Sequence, residues 1–289
     1  MPEFKYLRPE DVQRLASYEF APKILVEGYL SGRHRSSARG TSTEFRDYRQ
    51  YAEGDDPKLV DWKVFARTDR HYLRTFAHET NLDCHLFLDS SASMGFGAPL
   101  SKLDYGSFFT AALCHLVLRS ADRVSLQLFD DKIRHFAPPG STRGHLNNLM
   151  QLLEHNRPGG RTRLSVALRR AYPLLRHRGA LVVVSDFFDD VGEIFAALSP
   201  YLHRGFNIHL FHVLAPEELA LPDKGLQAFE CLETGQRVVA HTDLLRREYP
   251  LAIQAHIRAI RELAARRRIN YTQARTDTPF FELFDRLQA

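Results

Sequence analysis

The chain has 289 residues, 44% hydrophobic and 26% charged, enough to bury a full core in one large domain with an appendage or in two modest domains, without disulfide staples. Its 39 Lys and Arg are interspersed with 35 Asp and Glu, a net charge of +4; a chain built mainly to hold nucleic acid concentrates its charge more than this, so that class is not indicated. No stretch approaches eighteen consecutive apolar residues, and the start, Met1-Pro2-Glu3-Phe4-Lys5-Tyr6, lacks a charged region followed by an apolar one, so neither a membrane span nor a signal peptide is expected.

Three cysteines, Cys84, Cys114 and Cys231, are an odd number, and the first two lie in apolar runs. This predicts reduced thiols and a cytoplasmic protein. The fourteen histidines follow no metal-ligand rhythm; His209 and His212, an odd step apart on a predicted strand, face opposite sides.

In chain order, helical pieces are predicted near 11–15 and 21–26, the second with Pro22 near its start. The polar, basic stretch 31–40 reads as a surface loop. Residues 42–75 crowd Glu44, Arg46, Tyr48, Arg49, Tyr51, Asp55, Asp56, Asp61, Trp62 and Arg67 together without a clear period, which predicts a network of ion pairs and Arg–aromatic stacking, with a partner-docking surface as the functional alternative. Gly54-Asp55-Asp56-Pro57 is a turn signal.

From residue 82 the pattern becomes strand, helix, strand. Strands are expected over 82–88, 123–129, 133–136, 180–184, 207–214 and 269–274. Helices are expected over 103–120, 144–155, 163–176 with a bend at Pro173, 192–202, from Pro250 to the Arg266-Arg267-Arg268 run, and over 280–287. Residues 226–240 read as a hairpin around Glu233-Thr234-Gly235-Gln236. Buried strands alternating with amphipathic helices predict an α/β fold with a doubly wound, mostly parallel sheet, which binds ligands beyond the carboxyl ends of its strands. The division expected is a helical and signature segment over 1–79 and the sheet domain over 80–289.

Two carboxylates stand at such strand ends. Asp89 closes the first strand and is followed by Ser91 and Ser93; in an extended or loosely turning chain, residues two apart point the same way, so three oxygens can converge. Oxygen-only ligands suit a hard divalent cation such as Mg2+. Asp186 closes the apolar strand Ala180-Leu181-Val182-Val183-Val184, and Gly159-Gly160-Arg161-Thr162 opens a helix. By composition Asp-x-Ser-x-Ser arises by chance in roughly one chain in fifteen of this length, so its position matters more than its pattern.

Together these residues resemble the metal-ion-dependent adhesion site of von Willebrand factor type A domains. The resemblance implies Asp89, Ser91, Ser93, Thr162 and Asp186 as ligands of one divalent cation, Mg2+ or Mn2+, some through water. Upstream, Gly40-Thr41-Ser42-Thr43-Glu44-Phe45-Arg46-Asp47-Tyr48-Arg49-Gln50-Tyr51, Gly54-Asp55-Asp56-Pro57 and Asp61-Trp62-Lys63-Val64-Phe65-Ala66-Arg67 resemble the signature of the bacterial domain-of-unknown-function-58 (DUF58) family, which joins such a segment to a von Willebrand type A-like domain. Members often carry membrane helices ahead of the signature, and this chain looks like a soluble member. The resemblance implies a MoxR-like AAA+ ATPase as partner. Such a cation would be left under-neutralised and would recruit a partner's Asp or Glu, which makes a metal-dependent protein-interaction module the leading reading. The rival is a magnesium-dependent hydrolase of phosphate esters, with a second ion held near Asp130, Asp131, Asp189 and Asp190. Against it stand the lack of an obvious general base and of a Gly-x-x-x-x-Gly-Lys loop.

Overall fold

The computed structural model describes residues 4–18, 45–51, 60–76, 83–221 and 225–288. The helix expected near 21–26, the basic stretch 31–40, the Gly54-Asp55-Asp56-Pro57 turn and the first residues of the upstream signature lie outside them. The chain divides into two compact units, residues 34–81 and a larger one in which 1–33 join 82–289.

In the smaller unit, β1 (Phe45–Gln50) pairs antiparallel with β2 (Tyr72–Phe76). The helix Trp62–Thr68 lies between them in sequence. Asp61 starts that helix, its carbonyl and Oδ1 accepting from the Val64 N–H at 3.1 and 3.4 Å. The rings of Trp62, Phe65 and His71 cluster, the last two stacked with centroids 4.4 Å apart.

The larger unit contains β3 (Asp83–Asp89), β4 (Arg123–Phe129), β5 (Ile133–Gly140), β6 (Gly179–Ser185), β7 (Asn207–Leu214), β8 (Leu226–Glu230), β9 (Arg237–His241) and β10 (Asn270–Arg275). β8 and β9 form the expected hairpin, and the other six make one sheet in the order β10-β7-β6-β3-β4-β5. Every pairing in it is parallel except that of β5 with β4. This is the doubly wound α/β architecture expected from the alternation of strands and helices.

The inner strands β3, β4, β6 and β7 are buried almost from end to end and mainly apolar because both of their faces are covered. On one face Cys84, Leu86 and Leu88 of β3 and Val182 and Val184 of β6 pack with Phe109 and Leu113 of the helix Lys102–Arg119 and Leu149 of the helix Arg143–His155. On the other, Phe87, Leu181 and Val183 pack with Leu168 of the helix Leu164–Ala171, Leu198 of Val191–Arg204 and Ile260 of Glu248–Arg266. Leu15, from the first helix, joins the first of these clusters.

Two elements differ from expectation. The helix expected over 163–176 ends at Ala171, because Pro173 cannot donate to the helical ladder and biases the residue before it away from helical dihedrals. β5 runs on through Pro138 and Pro139 to Gly140; as the edge strand it tolerates missing N–H groups.

From β3 the chain fills the β4 and β5 side, then crosses to β6 on the other side of β3 and continues outward through β7 to β10. Winding therefore reverses between β3 and β6, which opens a crevice at their carboxyl ends.

Buried His212 on β7 reports on this interior. Its Nδ1 lies 2.8 Å from the Tyr271 hydroxyl and its ring stands edge-on to His256 and Phe187. Burial depresses its pKa from 6.5 to about 3; of the charged groups nearby, Asp186 opposes this, while His256 and Lys102 add to it. Between those values the unfolded chain binds a proton that the folded one refuses, so the contribution is complete above pH 6.5 and is lost as pH falls toward 3. His212→Phe is expected to remove about 2 kcal/mol of the stability that the wild type loses between pH 6.5 and 4.5, measured as the pH dependence of urea unfolding; identical slopes would refute this assignment.

Candidate functional site at the sheet crevice

β3 and β6 end side by side and deliver the two carboxylates of the crevice: Asp89 is the last residue of β3, and Asp186 follows Ser185, the last of β6. Both are wholly buried. Asp89 Oδ1 accepts from the Ser91 N–H at 2.9 Å, and Oδ2 accepts from the Ser185 hydroxyl at 2.6 Å. Ser185 Oγ in turn accepts from the N–H of Phe187 at 3.0 Å. Phe187 holds φ at +52°, a left-handed conformation uncommon for a bulky residue.

After Asp89 the chain does not stay extended. A 3₁₀ turn covers Ala92–Gly95, with Ser91 at its N-cap position. This turn, not strand alternation, brings Ser91 Oγ and Ser93 Oγ within 3.0 Å. The Ser93 side chain also lies close enough to Asp186 to help hold its pKa down, so Asp89, Ser91, Ser93 and Asp186 are neighbours in one set.

Thr162 lies on a loop that backbone bonds tie to the turn after Asp89. The Gly159 N–H donates to the Ser90 carbonyl at 2.9 Å, and the Ala92 N–H donates to the Gly160 carbonyl at 3.0 Å. Gly160 has φ +73°, and a Cβ there would lie 2.6 Å from Asp130 Oδ2, so only glycine fits. Arg134 clamps the loop from outside, donating to Asp130 Oδ2 at 2.5 Å and to the carbonyls of Arg157 and Gly159 at 2.7 and 2.5 Å. The Thr162 N–H and hydroxyl both donate to Glu233 Oε1, at 3.2 and 2.7 Å.

The charges are unevenly matched. Lys102, buried at the start of its helix, places Nζ 2.7 Å from Asp186 Oδ2 and 2.5 Å from Glu218 Oε1. Burial would lower the ammonium's pKa, but Asp186 and Glu218 outweigh it and raise it. Burial would likewise raise Asp186, and Lys102 outweighs it, holding that carboxyl below its ordinary value. Glu218 moves up, since burial exceeds the pull of Lys102. Asp89 has no cationic partner among the described residues; burial first, and then the charge of Asp186, raise its pKa to about 7. The crevice is short of a positive charge beside Asp89.

That shortage fits a cation. Carboxylate and hydroxyl oxygens are the donors a hard divalent ion takes, and a buried carboxylate without a counter-charge is costly. Asp89, Ser91 and Ser93 have the right chemistry, and Asp186 adds a carboxylate already neutralised by Lys102. The other acidic residues that the sequence placed near strand ends are largely engaged elsewhere: Asp130 with Arg134, Asp190 as the N-cap accepting from the Glu193 N–H at 2.7 Å, and Asp189 from the Asp190 N–H at 2.8 Å.

Sequence reasoning missed Lys102, Ser185, Glu218 and Glu233. Ser185 had a signal, a hydroxyl beside the carboxylate at the end of an apolar strand. Lys102 had a contrary one, because a cation at a helix N-terminus opposes the dipole.

Lys102→Met leaves Asp186 and Glu218 buried without their cation and is expected to destabilise the fold by about 3–5 kcal/mol. Arg169→Ala, which removes an exposed partner of Glu193, should change stability by under about 1 kcal/mol. Urea unfolding of both variants measures the contrast, and equal effects would contradict the burial of the Lys102 charge.

Among known proteins, uncharacterized proteins of Mycobacterium bovis and Mycobacterium tuberculosis are each 28% identical to this chain over 253 residues, covering 86% of it and 79% of the relative. Similar solved structures include an aerotolerance-related membrane protein from Bacteroides fragilis, with 19% identity and a TM-score of 0.46, and the conserved hypothetical protein BatB from Bacteroides thetaiotaomicron, with 18% identity and a TM-score of 0.49. Each covers 72% of this chain and 96% of its own. No helix among the described residues is long and apolar enough to cross a membrane. The family described as "protein of unknown function DUF58" matches residues 47–259, well over half of the sequence, and the chain belongs to that family.

Proposed function

We propose that this protein is a metal-dependent protein-interaction module that holds one divalent cation, Mg2+ or Mn2+, at the crevice and uses it to engage an Asp or Glu of a partner. The observation that carries this reading is Asp89: a wholly buried carboxylate with no cationic partner among the described residues, set against two serine hydroxyls, while its neighbour Asp186 has Lys102. Asp89, Ser91 and Ser93 would hold the ion, with Thr162 and Asp186 completing the set.

A divalent cation held by these residues would supply a Lewis acid able to take an outside carboxylate as ligand. The protein's own residues do the rest. Ser185 and the Ser91 N–H fix the orientation of Asp89. Lys102 neutralises Asp186, which limits the negative charge and keeps the cation attractive to an incoming acid. The Arg134 clamp holds the Thr162 loop in register.

The partner class follows from the family resemblance, a MoxR-like AAA+ ATPase. Calorimetry of the two purified proteins tests both parts of the reading. Mn2+ or Mg2+ is expected to strengthen binding at least about tenfold over EDTA, a gain of about 1.4 kcal/mol, and Asp89→Ala should abolish that gain. Equal affinity in chelator sinks the metal dependence; no binding in any condition sinks the partner.

A further inference from the structure

We infer that Glu233 is a built-in acid of the site, a carboxylate that latches the β8–β9 hairpin onto Thr162, one of the five proposed ligand groups. This rests on the reading of the site given above and assigns it a regulator within the same chain.

The observation is a contact across 71 residues of sequence. Glu233 Oε1 accepts both the N–H and the hydroxyl of Thr162. Two donors on one carboxylate oxygen, one at 2.7 Å, are charge-assisted hydrogen bonds of the stronger kind. The hydroxyl is one of the five proposed ligand groups. The residue type is the one that a cation at this site recruits, and the chain supplies it in cis.

The hairpin is built to present this side chain. Its turn is closed by the Cys231 N–H to the Gln236 carbonyl at 2.8 Å and the Gly235 N–H to the Cys231 carbonyl at 2.7 Å. Gly235 takes φ +69° to make the turn. The two strands pair with each other and share no ladder with the six-stranded sheet. Val238 and Val239 are more than half exposed, so little apolar burial fixes the hairpin at these positions. A latch made of polar contacts can open without unfolding the sheet. A partner's acid would then compete with Glu233 for the site.

Hydrogen exchange of the full chain, followed by mass spectrometry over residues 226–241, tests this. In EDTA, Glu233→Ala is expected to speed exchange of hairpin amides about tenfold, the effect of losing hydrogen bonds to a charged group. Thr162→Val, which keeps the N–H donor, should give a smaller increase in the same peptides. Mn2+ should further protect the wild-type hairpin but not that of Glu233→Ala. Unchanged exchange in both variants overturns the latch, and so does equal protection by Mn2+ with and without Glu233. Faster exchange in both variants, combined with no Mn2+ binding by calorimetry, upholds the latch and counts against the metal reading alone.

Discussion

Two carboxylates buried side by side at the ends of adjacent strands cannot both stay charged without cations, and the crevice is organised around that constraint. Burial disfavours the charged form of each, and each disfavours the charge of the other. The protein resolves half of the conflict internally. Lys102 gives up its hydration to pair with Asp186 and Glu218, an arrangement that is costly to bury and more costly to break. Asp89 receives neutral donors from Ser91 and Ser185. Neutral donors ease the desolvation of a carboxylate without cancelling its charge.

The topology explains why the conflict arises at this place. Parallel strands covered on both faces are filled mainly with Leu, Val and Phe, and the two carboxylates stand where β3 and β6 stop. The reversal of winding between β3 and β6 leaves that point free of a crossing connection. The loops above it are stitched to one another by backbone bonds, Gly159 to Ser90 and Ala92 to Gly160. Arg134 holds them from β5. Glu233 ties the Thr162 loop to a hairpin that shares no ladder with the sheet.

The sequence by itself determined the fold class and the neighbourhood of the site. A largely apolar run at 82–88 and an uninterrupted one at 180–184 are short enough for strands buried on both faces, and helices of suitable length separate them, so a doubly wound sheet follows from local pattern. Carboxylates at the ends of two such strands mark the crevice by the same logic. Where the prediction slipped, at Pro173 and at Pro138-Pro139, the same residue type ended a helix in one place and continued a strand in another; the difference lies in whether its missing N–H faces a partner, which neighbours decide.

Only the tertiary structure decided how the charges are shared. Lys102 lies 84 residues from Asp186 and 116 from Glu218, and Glu233 lies 71 from Thr162; contacts at such separations leave no periodic trace in the sequence. Locally, Lys102 reads as an exposed cation at a helix start, and Glu233 as an ordinary turn residue. The approach of Ser91 to Ser93 likewise came from a 3₁₀ turn and not from strand alternation. Sequence patterning records which faces must leave water, because burial repeats with the period of the backbone. Electrostatic pairing has no such period: it depends on which elements the fold sets against each other, and here that placed one lysine beside Asp186 and left Asp89 without a cation of its own.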